Sequence, residues 1–413
     1  MFHIDAKNIT LLPYSPVYEG DAVEIRCEVY NENEDGEISL SFGIDGKTRH
    51  TETVFVKKGC RGLASYTADL HGMAGSHTVS VNEASVPLEV VSERYAVLDG
   101  GFVMLGPPND RTACDPFREA IKRMTDDDWK RYIDALADIG QRCVIIMAAY
   151  QFLSITDGDV RAHFDSALLP KSDIAADDPI AAILEEAGRR DMHVFIGVGN
   201  AYGWMGSEEH MREVYKRYGA YDAFYGWYLG FEFNMELFNA EKAKEADALV
   251  AAARELCPAK PILMSPFGMP SEAFVEYISQ HDVFDIMMPQ DCVGQSRLDI
   301  EGSKQAHRVL LDACRKAHKH LWANCEAFNF TDAVVDGKTV SLLVPRYKGG
   351  GMDGKEGFIQ QMQAVRPYTE KIMTFMFSGF FCPHDFEPKM GGDAAVKQYE
   401  DYVKYAKGVL SEG

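Results

Sequence analysis

Two carboxylates in apolar surroundings are the residues of this chain best suited to chemistry. Glu232 lies near the end of the run Phe224-Tyr-Gly-Trp-Tyr-Leu-Gly-Phe-Glu-Phe-Asn234, and Glu326 closes Leu321-Trp-Ala-Asn-Cys-Glu326. A carboxylate between Phe231 and Phe233 is costly to ionise, which raises its pKa and suits it to proton donation. If the two groups face each other, one can protonate a leaving oxygen while the other attacks the neighbouring carbon or activates water. Glycosidic bond cleavage has that requirement. Taken singly, each Glu reads more readily as a paired structural carboxylate. Asp291, in Pro289-Gln-Asp-Cys-Val-Gly294, is a third candidate. It could hold a substrate hydroxyl, tune Glu326, or partner either Glu directly in an inverting arrangement with a wider gap.

The elements that must position these groups recur from Tyr95 onward. Apolar strands are predicted over 98–106, 142–150, 193–200, 224–232, 261–266, 284–290, 321–326 and 371–378. Amphipathic helices follow them, opening at Thr125 and then spanning 179–190, 207–218, 240–256, 271–280, 302–318, 357–365 and 393–410. Strands apolar on both faces, alternating with amphipathic helices, mean a parallel sheet covered by helices. Eight such units close into a (β/α)8 barrel. The alternative, a doubly wound open sheet, wants a Gly-rich phosphate turn after its first strand, whereas Gly100-Gly101 stands at that strand's start.

In such a barrel the active site is built at the C-terminal ends of the strands. Those ends supply Tyr150, Asn200, Tyr202, Trp204, Trp227, Asn234, Gln290, Asp291, Asn324, Phe328 and Phe377 as expected substrate contacts. Flat rings cover the C–H face of a sugar, and amides and carboxylates take its hydroxyls. Glu232 and Glu326, ending strands 4 and 7, fall nearly opposite each other. No metal is expected, because no strand ends in His-x-His, and His384 is the one His expected near the mouth. Nor is any cofactor implied. The long segment 329–355 reads as a lid that closes on the sugar, with Arg346 and Lys348 able to meet an acidic one.

Residues 1–92 show strand signals only, at 22–30, 38–44 and 76–81, separated by turn chemistry such as Glu34-Asp-Gly and Ile44-Asp-Gly-Lys. A small immunoglobulin-like β-sandwich is expected there as an accessory domain, with the barrel over 93–413. The formal net charge of -21 argues against nucleic acid and anionic membranes, both of which demand a basic face. Nine cysteines without C-x-x-C spacing favour reduced thiols, although Cys27 and Cys60 could pair. The start Met1-Phe-His-Ile-Asp5 has no basic n-region or apolar h-region, so a soluble cytoplasmic protein is expected. Composition and patterning leave a homo-oligomer open.

Gly226-Trp-Tyr-x-x-x-Glu232, Pro289-Gln-Asp-Cys-Val-Gly294 and Trp322-Ala-x-x-Glu-x-Phe328 together resemble the signatures of a bacterial family of glycosidase-like barrels, long labelled a domain of unknown function. By position the chain is also similar to the retaining glycosidase clan with Glu after strands 4 and 7. That resemblance implies Glu232 as acid/base and Glu326 as nucleophile. The clan carries Asn directly before the strand-4 Glu, where this chain has Phe231, so Asn234 or Asn200 would have to take the sugar 2-OH. The reading is a glycoside hydrolase acting on a carbohydrate. The alternatives are a sugar-binding barrel without turnover and an inverting enzyme that uses Asp291.

Overall fold

The computed structural model describes residues 4–106, 115–154, 158–199, 206–335, 338–346 and 357–411. Its internal contacts divide the chain into two compact units, residues 1–94 with 247–262 and residues 95–246 with 263–413. In the first unit, a three-stranded sheet (Ile9–Leu12, Ala22–Tyr30, Arg61–Asp69) and a five-stranded sheet (Val17–Tyr18, Ala84–Val91, Gly75–Val81, Gly36–Ile44, Lys47–Val56) form a sandwich. Period-two alternation turns Val23, Ile25, Cys27 and Val29 of one sheet and Leu40, Phe42, Val79 and Val81 of the other into a shared core. Cys27 and Cys60 are free thiols.

The second unit carries the barrel. Its strands are β1 (Gly100–Val103), β2 (Cys143–Ile146), β3 (His193–Gly197), β4 (Phe224–Leu229), β5 (Ile262–Met264), β6 (Ile286–Met287), β7 in two pieces (His320–Leu321 and Ala323–Glu326) and β8 (Ile372–Phe375). The first piece of β7 pairs in parallel with β6 and the second with β8, so one strand, interrupted at Trp322, closes the ring. The helices that follow these strands in sequence are α1 (Asp126–Asp138), α2 (Pro179–Arg189), α3 (Glu208–Tyr218), α4 (Asp247–Leu256, grouped with the first unit), α5 (Glu272–Gln280), α6 (Ile300–Lys316), α7 (Phe358–Val365) and α8 (Gly392–Ser411). Helix α1 starts as its sequence demands. The Thr125 hydroxyl accepts from Asp128 N (3.2 Å), and Asp128 Oδ2 accepts from Thr125 N (3.0 Å). Among the described residues no helix is long and apolar enough to cross a membrane.

The barrel interior is packed with rings. Phe102 meets Tyr228 edge-on (5.0 Å between centroids) and Phe375 (5.7 Å), and Phe195 meets Trp322 across the barrel (5.8 Å). Two excursions are hairpins. Tyr150–Ser154 pairs with Asp159–Ala162 after β2, and Phe328–Val335 pairs with Lys338–Pro345 after β7. The second occupies much of the expected lid. Only its tip and the residues around Lys348 lie outside the described chain.

Gly197 shows how tightly the strands are set, since a Cβ there would lie 2.2 Å from the Met147 carbonyl oxygen. Gly197→Ala should destabilise the barrel by about 1–3 kcal/mol through forced backbone shifts, as read from a urea unfolding curve.

Candidate active site

Alternation along β7 turns Trp322, Asn324 and Glu326 to the same side, and Trp322 fixes that side as the interior. Asn324 Nδ2 donates to Ser265 Oγ beyond the end of β5 (3.0 Å), while Asn324 Oδ1 is buried without a partner. One further step outward, Glu326 is almost fully buried. Its Oε2 accepts from Gln295 N (2.8 Å) and its Oε1 from Gln295 Nε2 (2.6 Å). Gly294 permits this approach, because a Cβ there would lie 2.7 Å from Glu326 Cβ and 2.5 Å from the Phe328 carbonyl.

Glu232 stands three residues beyond β4. Its side chain reaches solvent, yet protein encloses it closely enough that desolvation lifts its pKa above the ordinary carboxylate range, against a bond from Gln290. Gln290 Nε2 donates to Glu232 Oε1 (3.1 Å) and to the Ser265 carbonyl (3.3 Å), and Gln290 Oε1 accepts from Gln295 Nε2 (3.3 Å). Two glutamine amides thus join Glu232 to Glu326 in one hydrogen-bonded chain.

Asp291 is wholly buried beside them. Oδ1 accepts from the backbone N–H of Glu326 (3.2 Å) and Val293 (3.3 Å), and Oδ2 accepts from Gln361 Nε2 of α7 (2.5 Å). Burial raises the pKa of both Asp291 and Glu326, and the negative charge of Asp291 lifts Glu326 further. Gln361 and the backbone donors pull Asp291 back down, as Gln295 does Glu326, and Arg346 favours the ionised form of both. Arg346 is anchored on the hairpin after β7. Its N–H donates to the Ala327 carbonyl (3.0 Å) and its Nη1 to Asn329 Oδ1 (3.2 Å).

Of the expected substrate contacts, Gln290, Asp291 and Asn324 gather around the two Glu residues. Phe328 is buried near them, edge-on to Phe330 (5.6 Å), which is 48% exposed on the hairpin. Phe377 is buried against Phe381 (5.8 Å). Asn234 is turned to its own loop, its Oδ1 accepting from Glu236 N (3.0 Å) and Leu237 N (3.4 Å). Two aromatics lie elsewhere than expected. The Trp227 ring packs against Phe224 (5.0 Å) and Tyr215 of α3 (6.5 Å), and the Tyr150 hydroxyl donates to Glu213 of α3. Both belong to the layer between strands and helices. The residue next to Trp227, Tyr228, takes the interior side instead, close enough to Glu232 that burial and that carboxylate raise its pKa. Asn200, Tyr202 and Trp204 lie outside the described residues. Sequence reasoning missed Gln295 and Gln361. Gln295 follows the Gly that presses on Glu326, and Gln361 is a polar residue on the apolar face of a helix.

Eight parallel strands, each followed by a helix, define a (β/α)8 barrel with carboxylates beyond the fourth strand and at the end of the seventh. The chain belongs to the family described as Domain of unknown function (DUF4434), which it matches over residues 98–387. No curated protein matches the sequence. Among solved structures, a candidate alpha-L-fucosidase from Bacteroides thetaiotaomicron superposes with a TM-score of 0.54 at 18% identity, covering 76% of this chain and 95% of that one. A glycoside hydrolase family 5 mannosidase from Rhizomucor miehei gives a TM-score of 0.44 at 10% identity, covering 79% and 96%. A family 5 glycoside hydrolase from Bacteroides vulgatus also gives 0.44, at 12% identity, covering 74% and 64%. At these identities the likeness is one of fold.

The raised carboxylates have a consequence for stability. Glu232, Asp291 and Glu326 bind protons in the folded chain at a pH where the unfolded chain releases them. Their contribution is fully present below the unfolded values, near pH 4, and is lost as pH rises through the folded ones. Glu326→Gln should therefore gain thermal stability over the parent between about pH 5 and pH 8, as followed by scanning calorimetry. A stability difference that stays flat with pH would contradict the raised value.

Proposed function

We propose that the barrel hydrolyses a glycosidic bond, with Glu232 as acid/base and Glu326 as nucleophile. One observation carries the reading: two desolvated carboxylates at the mouth, beyond strands 4 and 7, are joined through Gln290 and Gln295. Glu232 is the group with both a raised pKa and access to solvent, which suits proton donation to a leaving oxygen. In the resting chain the Gln295 side chain covers Glu326. The reading therefore requires that amide to swing off Oε1 when substrate enters, leaving the Gln295 N–H on Oε2. Asp291 fits a positioning role better than direct attack, because one of its oxygens is held by two backbone N–H groups, those of Val293 and of Glu326 itself. Phe330, exposed on the hairpin and edge-on to Phe328, offers an apolar face to a sugar ring beyond the scissile bond.

A sugar-binding barrel without turnover is the competing reading, and the closure of Glu326 under Gln295 favours it. Mutagenesis separates the two. Once a panel of chromogenic glycosides has identified a substrate, Glu232→Gln and Glu326→Gln should each lose about 10²–10⁴-fold or more in kcat while ligand binding persists. Unchanged turnover in both variants would exclude the enzyme reading. NMR of the first-formed anomer tests retention, which requires the product to keep the configuration of the substrate.

The pH profile offers a further test. Glu326 must be ionised to attack, so the acidic limb of kcat/KM should lie above the usual carboxylate range. Asp291→Asn removes the like charge and should move that limb to lower pH by about one unit. A limb that stays in place or moves upward would show that Asp291 does not repel Glu326.

A further inference from the structure

The orientations of the amides in the chain from Glu232 to Glu326 are fixed by what surrounds them. Gln290 Nε2 faces a carboxylate oxygen and the Ser265 carbonyl, both of which only accept when Glu232 is ionised, so its nitrogen must be the donor there. That orientation turns Gln290 Oε1 towards Gln295, whose Nε2 then spends one hydrogen on Gln290 and the other on Glu326 Oε1. The backbone N–H of Gln295 occupies Oε2, and Gly294 keeps the loop pressed against the carboxylate. Both oxygens of Glu326 therefore face donors alone. Protonating Oε1 would set two donors against each other. Relief requires the Gln295 amide to flip, and the flip breaks its bond to Gln290.

We propose that Gln295 is the positioning residue of Glu326, and that Gln290, by locking the Gln295 amide in one orientation, makes Glu232 and Glu326 members of one coupled hydrogen-bond chain. The inference rests on the reading that these two Glu residues act as a pair. It assigns roles to two amides that otherwise appear only as lining. The other groups facing Glu326 are Asp291 and Cys292 from the loop after β6, Cys325 on β7 itself, and Arg346 from the hairpin. Of these, Cys292 also touches the amide: its Sγ accepts from Gly268 N (3.2 Å) and from Gln295 Nε2 (3.7 Å), a longer bond than the one Nε2 gives Glu326 Oε1 (2.6 Å), and it favours the same amide orientation.

The test needs no substrate, so its failure is distinct from failure to find turnover. Protein carrying [δ-13C]glutamate is titrated by NMR, with the Glu326 signal assigned by its absence from Glu326→Gln. Gln295→Met keeps the side-chain length but removes the donor, and should raise the apparent pKa of Glu326 by at least about one unit. If Gln295→Met does not fold, Gln295→Ala, which only removes atoms, takes its place. Gln290→Met touches Glu326 nowhere. It should nevertheless raise the same pKa by about half a unit, because the freed Gln295 amide can turn its carbonyl to the protonated acid. A shift with the Gln295 variant alone overturns the coupling through Gln290. No shift with either variant overturns the positioning role as well.

Discussion

The seventh strand carries two obligations at once, and the site depends on both. Its first piece must pair with β6 and its second with β8, or the barrel stays open. While doing so it must present Trp322, Asn324 and Glu326 inward in succession. Parallel pairing fixes the depth of each residue, and period-two alternation fixes its side. Glu326 thus reaches the rim by backbone geometry before any side-chain contact is made. The loop after β6 then closes over it. Gly294 allows backbone to lie against the Glu326 side chain, and the next residue delivers two donors to one carboxylate. Replacing the glycine by any residue with a Cβ would push Gln295 away.

Electrostatics adds a second constraint. Three carboxylates share the site, and Arg346, which favours the ionised form of Asp291 and Glu326, sits on the hairpin that the seventh strand feeds. Burial pushes all three acids towards their neutral forms. The donors are distributed unevenly: Asp291 receives two backbone N–H groups and Gln361, Glu326 receives both donors of Gln295, and Glu232 receives a single side-chain amide and keeps its opening to solvent. On the proposed reading that unevenness separates the roles, with the best-solvated acid exchanging its proton with a ligand and the most deeply sealed one serving the others.

The eight strand–helix units were legible in the sequence, because buried parallel strands read as apolar runs and the helices between them carry caps and stripes. Glu232 and Glu326 were legible for the same reason, since each is a charge at the end of an apolar run. Side-chain direction was not. A run apolar on both faces gives no parity signal, so Trp227 was expected at the sugar and proved to face α3, with Tyr228 one residue away on the inside. The two hairpins were missed because each lies between a barrel strand and the helix after it, where the alternation of strand and helix leaves only a loop, and the second makes up much of the segment expected to form a lid. Gln295 and Gln361 escaped because a glutamine gains meaning only from what it faces, and both face carboxylates distant in sequence.

The central claim, that Glu326 attacks and Glu232 assists, is tested most directly by trapping the covalent intermediate. A dinitrophenyl 2-deoxy-2-fluoroglycoside of whichever sugar the wild-type protein turns over would be incubated with it, and the labelled peptide sequenced by mass spectrometry. The account predicts a single glycosyl adduct on Glu326, formed slowly and lost on prolonged incubation. An adduct on Asp291 or Glu232, or no adduct with a sugar whose parent glycoside is cleaved, would contradict it.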